Sequence, residues 1–177
     1  ITGREAGNPT NQITKLYQNN SGIFSEMPTG LPGVWAGSVD WGDFDNDGDQ
    51  DLLLTGNVGV GDYISDIYRN DGPSAGSGWT FTPVNAAFLP VWQGAGIWAD
   101  YDEDRDLDVL LFGVAETGGD TTMIFRNDQG VFTDIQAGLT GLFNGAAAWG
   151  DYDSDGDLDI LIAGDSAFFN PITKIYR

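Results

Sequence analysis

The chain has 177 residues with a formal net charge of −20, and 41% of its residues are hydrophobic. This composition provides enough apolar side chains for a folded core and argues against a disordered chain. The charge excludes nucleic acid as a partner, because binding a polyanion needs a basic surface. The sequence has no cysteine and no histidine, so it lacks thiolate sites, disulfides and the commonest general base. No apolar stretch is long enough for a membrane helix, so membrane insertion is not expected.

A tryptophan followed by an aspartate-rich stretch and an apolar run occurs three times, beginning at Trp41, Trp98 and Trp149. The intervals are 57 and 51 residues, and the insertion 73–78 accounts for the longer one. An aromatic residue stands 17 residues after the last aspartate of each copy, at Tyr68, Phe125 and Tyr176. This constant register indicates an internal repeat.

Four short strands are predicted in each repeat, and the opening segment resembles the rear part of one. The first strand carries small residues before the tryptophan, at 37–41, 95–98 and 146–149. The second is a continuous apolar run, at 52–54, 109–112 and 160–162, as expected of a strand covered on both faces. The third and fourth are predicted at 64–69 and 79–83 of the first complete repeat, joined through Asn-Asp-Gly turn chemistry.

Repeated four-stranded units of about 40 to 50 residues predict an all-β fold of antiparallel β-propeller blades, with a parallel β-helix as the weaker alternative. The predicted division is a partial blade 1–30, complete blades 31–89 and 90–139, and a partial blade 140–177. This number of blades cannot close a propeller, so further blades or other chains are expected to complete it.

Each repeat contains a nine-residue loop with aspartate at positions 1, 3, 5 and 9. So many carboxylates repel one another without a cation, and alternate positions in a tight turn direct oxygens to one point, which favours calcium. Gly48 and Gly156 at position 6 permit a turn with positive φ, and the backbone carbonyls of Asp49, Asp106 and Asp157 at position 7 are further predicted ligands. The predicted carboxylate ligands are Asp43, Asp45, Asp47 and Asp51; Asp100, Asp102, Asp104 and Asp108; and Asp151, Asp153, Asp155 and Asp159.

The loop is similar to an EF-hand in its ligands, but position 12 is Leu54, Leu111 or Ile162 instead of glutamate, and strands flank it. The pattern Trp-Gly-Asp-Phe/Tyr-Asp-x-Asp-Gly-Asp-x-Asp-Leu with a later Ile-Tyr-Arg-Asn resembles the FG-GAP/VCBS repeat family, which includes the integrin α-subunit propeller. The resemblance implies a propeller of about seven blades with calcium between strands one and two of each blade. It also implies a secreted or surface-exposed protein that binds other proteins or glycans.

The second loop departs from this pattern at Arg105, where the other two loops have glycine. A left-handed conformation costs a non-glycine residue about 1 kcal/mol, and the guanidinium brings positive charge near the ion. Three calcium sites are therefore expected, with the middle one weaker.

Three aromatic residues, Trp35, Trp92 and Phe143, stand six residues before the repeated tryptophans, in predicted connections between blades. Either they pack between blades, or they form a platform for a sugar or peptide together with Tyr63, Phe168 and Phe169. In propellers these connections lie on the face opposite the metal hairpins.

The sequence favours a calcium-stabilised extracellular binding or adhesion module over an enzyme. One alternative is a structural subunit whose end blades pair with other chains in an oligomer or fibre. Another is a polysaccharide lyase or hydrolase that uses Tyr, Asp or Lys, or the non-catalytic propeller part of such an enzyme.

Overall fold

The computed structural model describes residues 1–6, 8–74, 78–167 and 169–177. In these ranges the chain forms strands and no helix, which confirms the all-β prediction. The strands are β1 (Thr2–Glu5), β2 (Asn8–Thr14), β3 (Leu16–Asn20), β4 (Ile23–Met27), β5 (Val39–Gly42), β6 (Asp51–Asn57), β7 (Tyr63–Pro73), β8 (Trp79–Pro83), β9 (Val91–Ala99), β10 (Asp108–Ala115), β11 (Asp120–Asp128), β12 (Val131–Asp134), β13 (Phe143–Gly150), β14 (Asp159–Ser166) and β15 (Asn170–Tyr176).

The strands form antiparallel sheets in which sequence neighbours are also neighbours in space. Strands β5 to β8 and β9 to β12 make two four-stranded sheets, and β13 to β15 make a three-stranded one. In the opening segment β1 pairs with β2, and β3 pairs with β4. The N–H of Lys15, between β2 and β3, donates to the carbonyl of Ile1 at 2.8 Å, so the pairing with β1 continues past the end of β2.

The second strand of each complete sheet is the most buried. All seven residues of β6 are buried, and β10 is buried except for Val114. A sheet lies on each side of β10, whereas the outer face of β6 packs against Leu31 and Val34 of the segment before β5. Leu53 of β6 packs with Val109 and Leu111 of β10, while Leu110 and Phe112 on the other face of β10 pack with Ile160 and Ile162 of β14. The sheets therefore stack face to face, as blades do.

The first strand is longer than the sequence predicts in two sheets. Pairing extends outward from Gly94 to Val91 and from Gly145 to Phe143 after a shift of register. The prediction that Trp92 and Phe143 lie in connections between blades was therefore wrong, because a bulge lets each strand resume its pairing. Trp35 does lie in a connection, where it forms an isolated bridge with Asn57.

The described part of the chain contains no helix that is long and apolar enough to cross a membrane.

Candidate metal centres

The three aspartate-rich loops occupy the same place in successive sheets, joining β5 to β6, β9 to β10 and β13 to β14. Position 6 has positive φ in each: 97° at Gly48, 79° at Arg105 and 102° at Gly156. This confirms the predicted turn. Position 4 is also left-handed, with φ of 60° at Asn46, 60° at Glu103 and 61° at Ser154, although none of these residues is glycine. Two left-handed residues in a short span curl the loop into a tight turn.

The carboxylates at positions 1, 3 and 9 converge in every loop. One oxygen from each of the three residues lies within 4.8 Å of the other two. Oxygens bound to one calcium ion at 2.3–2.6 Å can lie up to about 5 Å apart, so this spacing fits a single ion. The groups are Asp43, Asp45 and Asp51; Asp100, Asp102 and Asp108; and Asp151, Asp153 and Asp159.

The aspartate at position 9 is the buried member of each group. Asp51 accepts the N–H of Phe44 at 3.2 Å and that of Asn70 at 2.8 Å. Asp108 accepts the N–H of Tyr101 at 3.0 Å and that of Asn127 at 2.8 Å. Burial raises the pKa of Asp51 and of Asp108 to about 6. Two N–H donors therefore do not fully offset the lost hydration of either carboxylate, and a cation would.

The aspartate at position 1 accepts hydrogen bonds from the backbone of its own turn. Asp43 accepts the N–H groups of Asp47 and Gly48, both at 3.0 Å. In the second loop, Oδ2 of Asp100 accepts the N–H of Arg105 at 3.0 Å. The other oxygen, Oδ1 of Asp100, is buried and has no hydrogen-bond donor among the described residues. This orphaned oxygen is available to a metal ion, so the donor set fits one.

Six further predicted metal-binding residues lie outside the three groups. The position 5 carboxylate accepts the N–H of the residue at position 7, as Asp47 does from Asp49 at 2.9 Å. The same contact recurs at 2.9 Å in the second loop and at 3.1 Å in the third. Participation of these six residues in metal binding stays a prediction: Asp47, Asp49, Asp104, Asp106, Asp155 and Asp157.

Arginine side chains lie differently at the three loops. The guanidinium of Arg177 forms ion pairs with Asp153 at 3.1 Å and Asp155 at 3.2 Å, so it lies at the edge of the third group. Arg69 pairs instead with Asp71, at 2.7 Å. The guanidinium of Arg105 makes no ion pair within the described ranges, and its residue is exposed.

Two asparagines that support the buried aspartates were not assigned a role from sequence. Besides the N–H contacts above, Nδ2 of Asn70 donates to the carbonyl of Gln50 at 3.1 Å, and Nδ2 of Asn127 donates to that of Leu107 at 3.1 Å. Each asparagine stands 19 residues after the aspartate that it holds. That constant interval was the available signal.

The predicted aromatic residues were expected at the other end of the sheets, and three of them meet there. Tyr63 stacks on Trp92 with ring centroids 5.5 Å apart, and Trp35 meets Trp92 edge-on at 5.9 Å. The guanidinium carbon of Arg4 lies 3.5 Å from the ring centroid of Trp35, a partner that the sequence did not suggest. One face of Trp92 is thus covered by Tyr63, and one face of Trp35 by Arg4.

Phe143, which was predicted as a ligand-binding residue, does not belong to this exposed cluster. It is only 6% exposed and packs edge-on against Phe169 at 5.5 Å, so its ring is not available as a binding platform. The reason is its position on β13, where the extended strand turns it inward. Phe168 lies outside the described residues.

The stacked antiparallel sheets and their repeated acidic hairpins define a β-propeller-like repeat protein with candidate metal centres. The family model described as FG-GAP-like repeat matches residues 6–54 and 100–162, which is more than half of the chain. The chain belongs to this family. No curated protein and no solved structure shows a significant match to it.

Proposed function

We propose that this chain is a calcium-stabilised extracellular module that recognises protein or glycan ligands and is not an enzyme. The observation that supports it best is the convergence of three carboxylates at the same hairpin of three successive sheets. A repeated site at the same structural position suits an ion that stabilises every blade, since catalysis needs one specialised site.

Calcium fits the donor set better than a transition metal does. The converging groups offer only carboxylate oxygens, which hard cations prefer, whereas zinc favours sulfur and imidazole nitrogen. The sequence contains neither cysteine nor histidine. Extracellular calcium modules bind with dissociation constants of roughly 10⁻⁴ to 10⁻³ M, which matches the calcium available outside cells.

The first test is thermal unfolding in calcium and in chelator. Binding to the native state adds about 2.7 kcal/mol per site at a hundredfold excess over Kd, so calcium is expected to raise the unfolding temperature and magnesium to raise it less. Asp45→Asn is expected to reduce the gain. Asp49→Asn removes the same charge from the same loop but keeps the converging carboxylates, and is expected to preserve it. Equal unfolding temperatures with and without calcium would contradict the proposal.

The proposed ligand surface is the cluster of Trp35, Trp92 and Tyr63, at the ends of the strands away from the aspartate loops. All three residues are half-buried, so each retains an exposed portion that a sugar ring or an aromatic peptide side chain could contact. Protein and glycan arrays probed with the calcium-loaded chain should identify ligands. Binding is expected to weaken in Tyr63→Ala and to persist in Trp79→Ala, a half-buried aromatic on the outer strand β8. If the chain binds calcium but no ligand, the proposed calcium stabilisation would stand and the proposed ligand recognition would be refuted.

A further inference from the structure

We propose that the first two metal sites are energetically coupled through hydrogen bonds between their loops, so that filling the site at Asp43, Asp45 and Asp51 raises the calcium affinity of the site at Asp100, Asp102 and Asp108. This inference rests on the calcium binding proposed above. It assigns the coupling to two positioning residues, Asn127 and Asn46.

The first connection runs through the fully buried side chain of Asn127. Its Nδ2 donates to the carbonyl of Phe44 in the first loop at 3.1 Å, while its N–H donates to the Asp108 carboxylate of the second site. The N–H of Phe44 in turn donates to Asp51 of the first site. A continuous path of hydrogen bonds therefore joins the buried carboxylates of the two sites, Asp51 and Asp108.

The second connection lies at the surface of the loops. Nδ2 of Asn46 donates to the Asp106 carboxylate at 2.9 Å and to the carbonyl of Arg105 at 3.3 Å. Asn46 is held in its left-handed conformation between Asp45 and Asp47, so an ion in the first site fixes the position of its side chain. The N–H of Arg105 donates to Asp100, so the residue that Asn46 contacts also holds a ligand of the second site.

These contacts give the coupling a physical basis. Ordering a loop around an ion costs conformational entropy, and a neighbour that is already ordered reduces the cost for the next loop. The first ion fixes the donors of Asn46 and the acceptor of Asn127, and both connections lead to ligands of the second site. Coupling between sites in proteins typically changes affinity by about fivefold or more.

The boundary between the second and third loops provides an internal control. Glu103 occupies the position of Asn46, and a carboxylate cannot donate to the acidic loop that follows. No hydrogen bond between the second and third loops is found within the described residues, although Tyr101 stacks on Trp149 at 6.0 Å much as Phe44 stacks on Trp98 at 6.5 Å. Stacking is thus common to both boundaries. The connection made by Asn46 is particular to the first, and the position that corresponds to Asn127 at the second boundary, 19 residues after Asp159, lies outside the 177 residues.

The experiment follows the backbone amide of Arg105 by NMR during calcium titration of the 177-residue chain, as a reporter for the second site. Asp45→Ala, which disables the first site, is expected to raise the calcium midpoint at Arg105 by about fivefold. Asp153→Ala, which disables the third, is expected to leave it unchanged. In Asn46→Ala and in Asn127→Ala the calcium midpoint at Arg105 is expected to be raised already. Adding Asp45→Ala to either variant is then expected to change this midpoint less than it does in the parent chain.

Asn70→Ala is the matched control for Asn127→Ala. It removes the same contact to the carbonyl before the buried aspartate, but its Nδ2 has no partner in another loop among the described residues. Asp45→Ala is expected to retain its full effect in that background.

Near-UV circular dichroism verifies folding, and the exposed Asn46 provides a test if Asn127→Ala unfolds. An unchanged midpoint in Asp45→Ala, or an equal shift in Asp153→Ala, would overturn the coupling alone. Amide shifts that do not respond to calcium in any variant would overturn the proposed function and the coupling with it.

Discussion

The acidic loops place two residues each in the left-handed conformation, and the side chains at those positions differ in how well they tolerate it. Asn46 and Gly48 in the first loop are residues that adopt positive φ at low cost. The second loop has Glu103 and Arg105 at the same positions, so it carries more backbone strain. The middle site is therefore the one in which the loop itself opposes the geometry that an ion needs.

Exchanging the residues at position 6 tests this difference. Arg105→Gly keeps the N–H that donates to Asp100 but removes the strain and the positive charge, so calcium affinity at the second site is expected to rise. Gly48→Arg is the reciprocal change and is expected to lower affinity at the first site. Without calcium, Arg105→Gly should change stability by less than about 1 kcal/mol, because relief of strain is offset by the greater freedom of glycine in the unfolded chain. A calcium titration that follows each site separately measures both changes. Unchanged calcium affinity in both variants would contradict the strain argument.

A pH dependence follows from the buried carboxylates. Burial, with smaller contributions from nearby loop carboxylates, raises the pKa of Asp51 and of Asp108 to about 6 in the folded chain. A group whose pKa is higher in the folded state contributes stability that is present below its ordinary pKa, near 4, and that is lost as the pH rises through about 6. Protons and calcium therefore compete for the same oxygens.

The chelated protein is accordingly expected to gain stability as the pH falls from about 7.5 to 5, while the gain from calcium shrinks. Calorimetry of calcium binding in buffers of different ionisation enthalpy measures how many protons calcium displaces. Calcium should displace about half a proton from each of the first two sites at pH 6 and almost none at pH 8. Proton release that does not change between these two pH values would show that Asp51 and Asp108 do not bind the ion.

At the scale of the strand, a glycine recurs in or just before the first strand, where the chain passes close to the second strand. A Cβ atom on Gly37, Gly94 or Gly145 would overlap the carbonyl oxygen of Thr55, Phe112 or Ala163 respectively. The glycine requirement at these three positions comes from this close approach of two backbones. It explains why a glycine stands at this position in every repeat.

Gly94→Ala is expected to destabilise the chain by about 3 kcal/mol, since the clash is with backbone that cannot rotate away. Gly150→Ala is the matched control on a first strand, because a Cβ there meets nothing within 4 Å, and its cost should be within about 0.5 kcal/mol. Urea unfolding in chelator measures both without a contribution from metal binding. Equal losses in the two variants would contradict the role assigned to the crossing.

Sequence periodicity predicted the strands and the loop register well because both depend on local chemistry. The fourth strand predicted at 79–83 matches β8, and the glycines at position 6 adopt positive φ as predicted. Sequence periodicity did not predict the contacts between sheets. Neither Arg4 over Trp35 nor Asn127 reaching Phe44 follows from spacing, since each depends on how one sheet is placed against the next. The burial of Phe143 depends on the same packing.

At the scale of the whole molecule, one packing arrangement repeats between sheets. The aromatic residue at position 2 of each loop stacks on the tryptophan of the next first strand, as Phe44 does on Trp98 and Tyr101 on Trp149. Tyr152 occupies the same position in the third loop, has no such tryptophan in the described chain and is 59% exposed. At the other end Trp41 is 44% exposed and borders a cleft of about 490 Å³ lined by Leu16, Tyr17 and Phe24.

The face formed by Tyr152, Leu161 and Ile175 is expected to make the isolated chain self-associate. All three side chains are exposed, at 59%, 44% and 55%, and neighbouring apolar groups on a sheet face drive association when no further sheet covers them. Sedimentation equilibrium in calcium should detect species larger than the 19.0 kDa monomer. The double variant Leu161→Ser with Ile175→Ser is expected to reduce association. Val131→Ser removes a side chain that is 64% exposed on the outer strand β12 and should not reduce it. A folded monomer at all concentrations would show that the stacked sheets need no partner at this face.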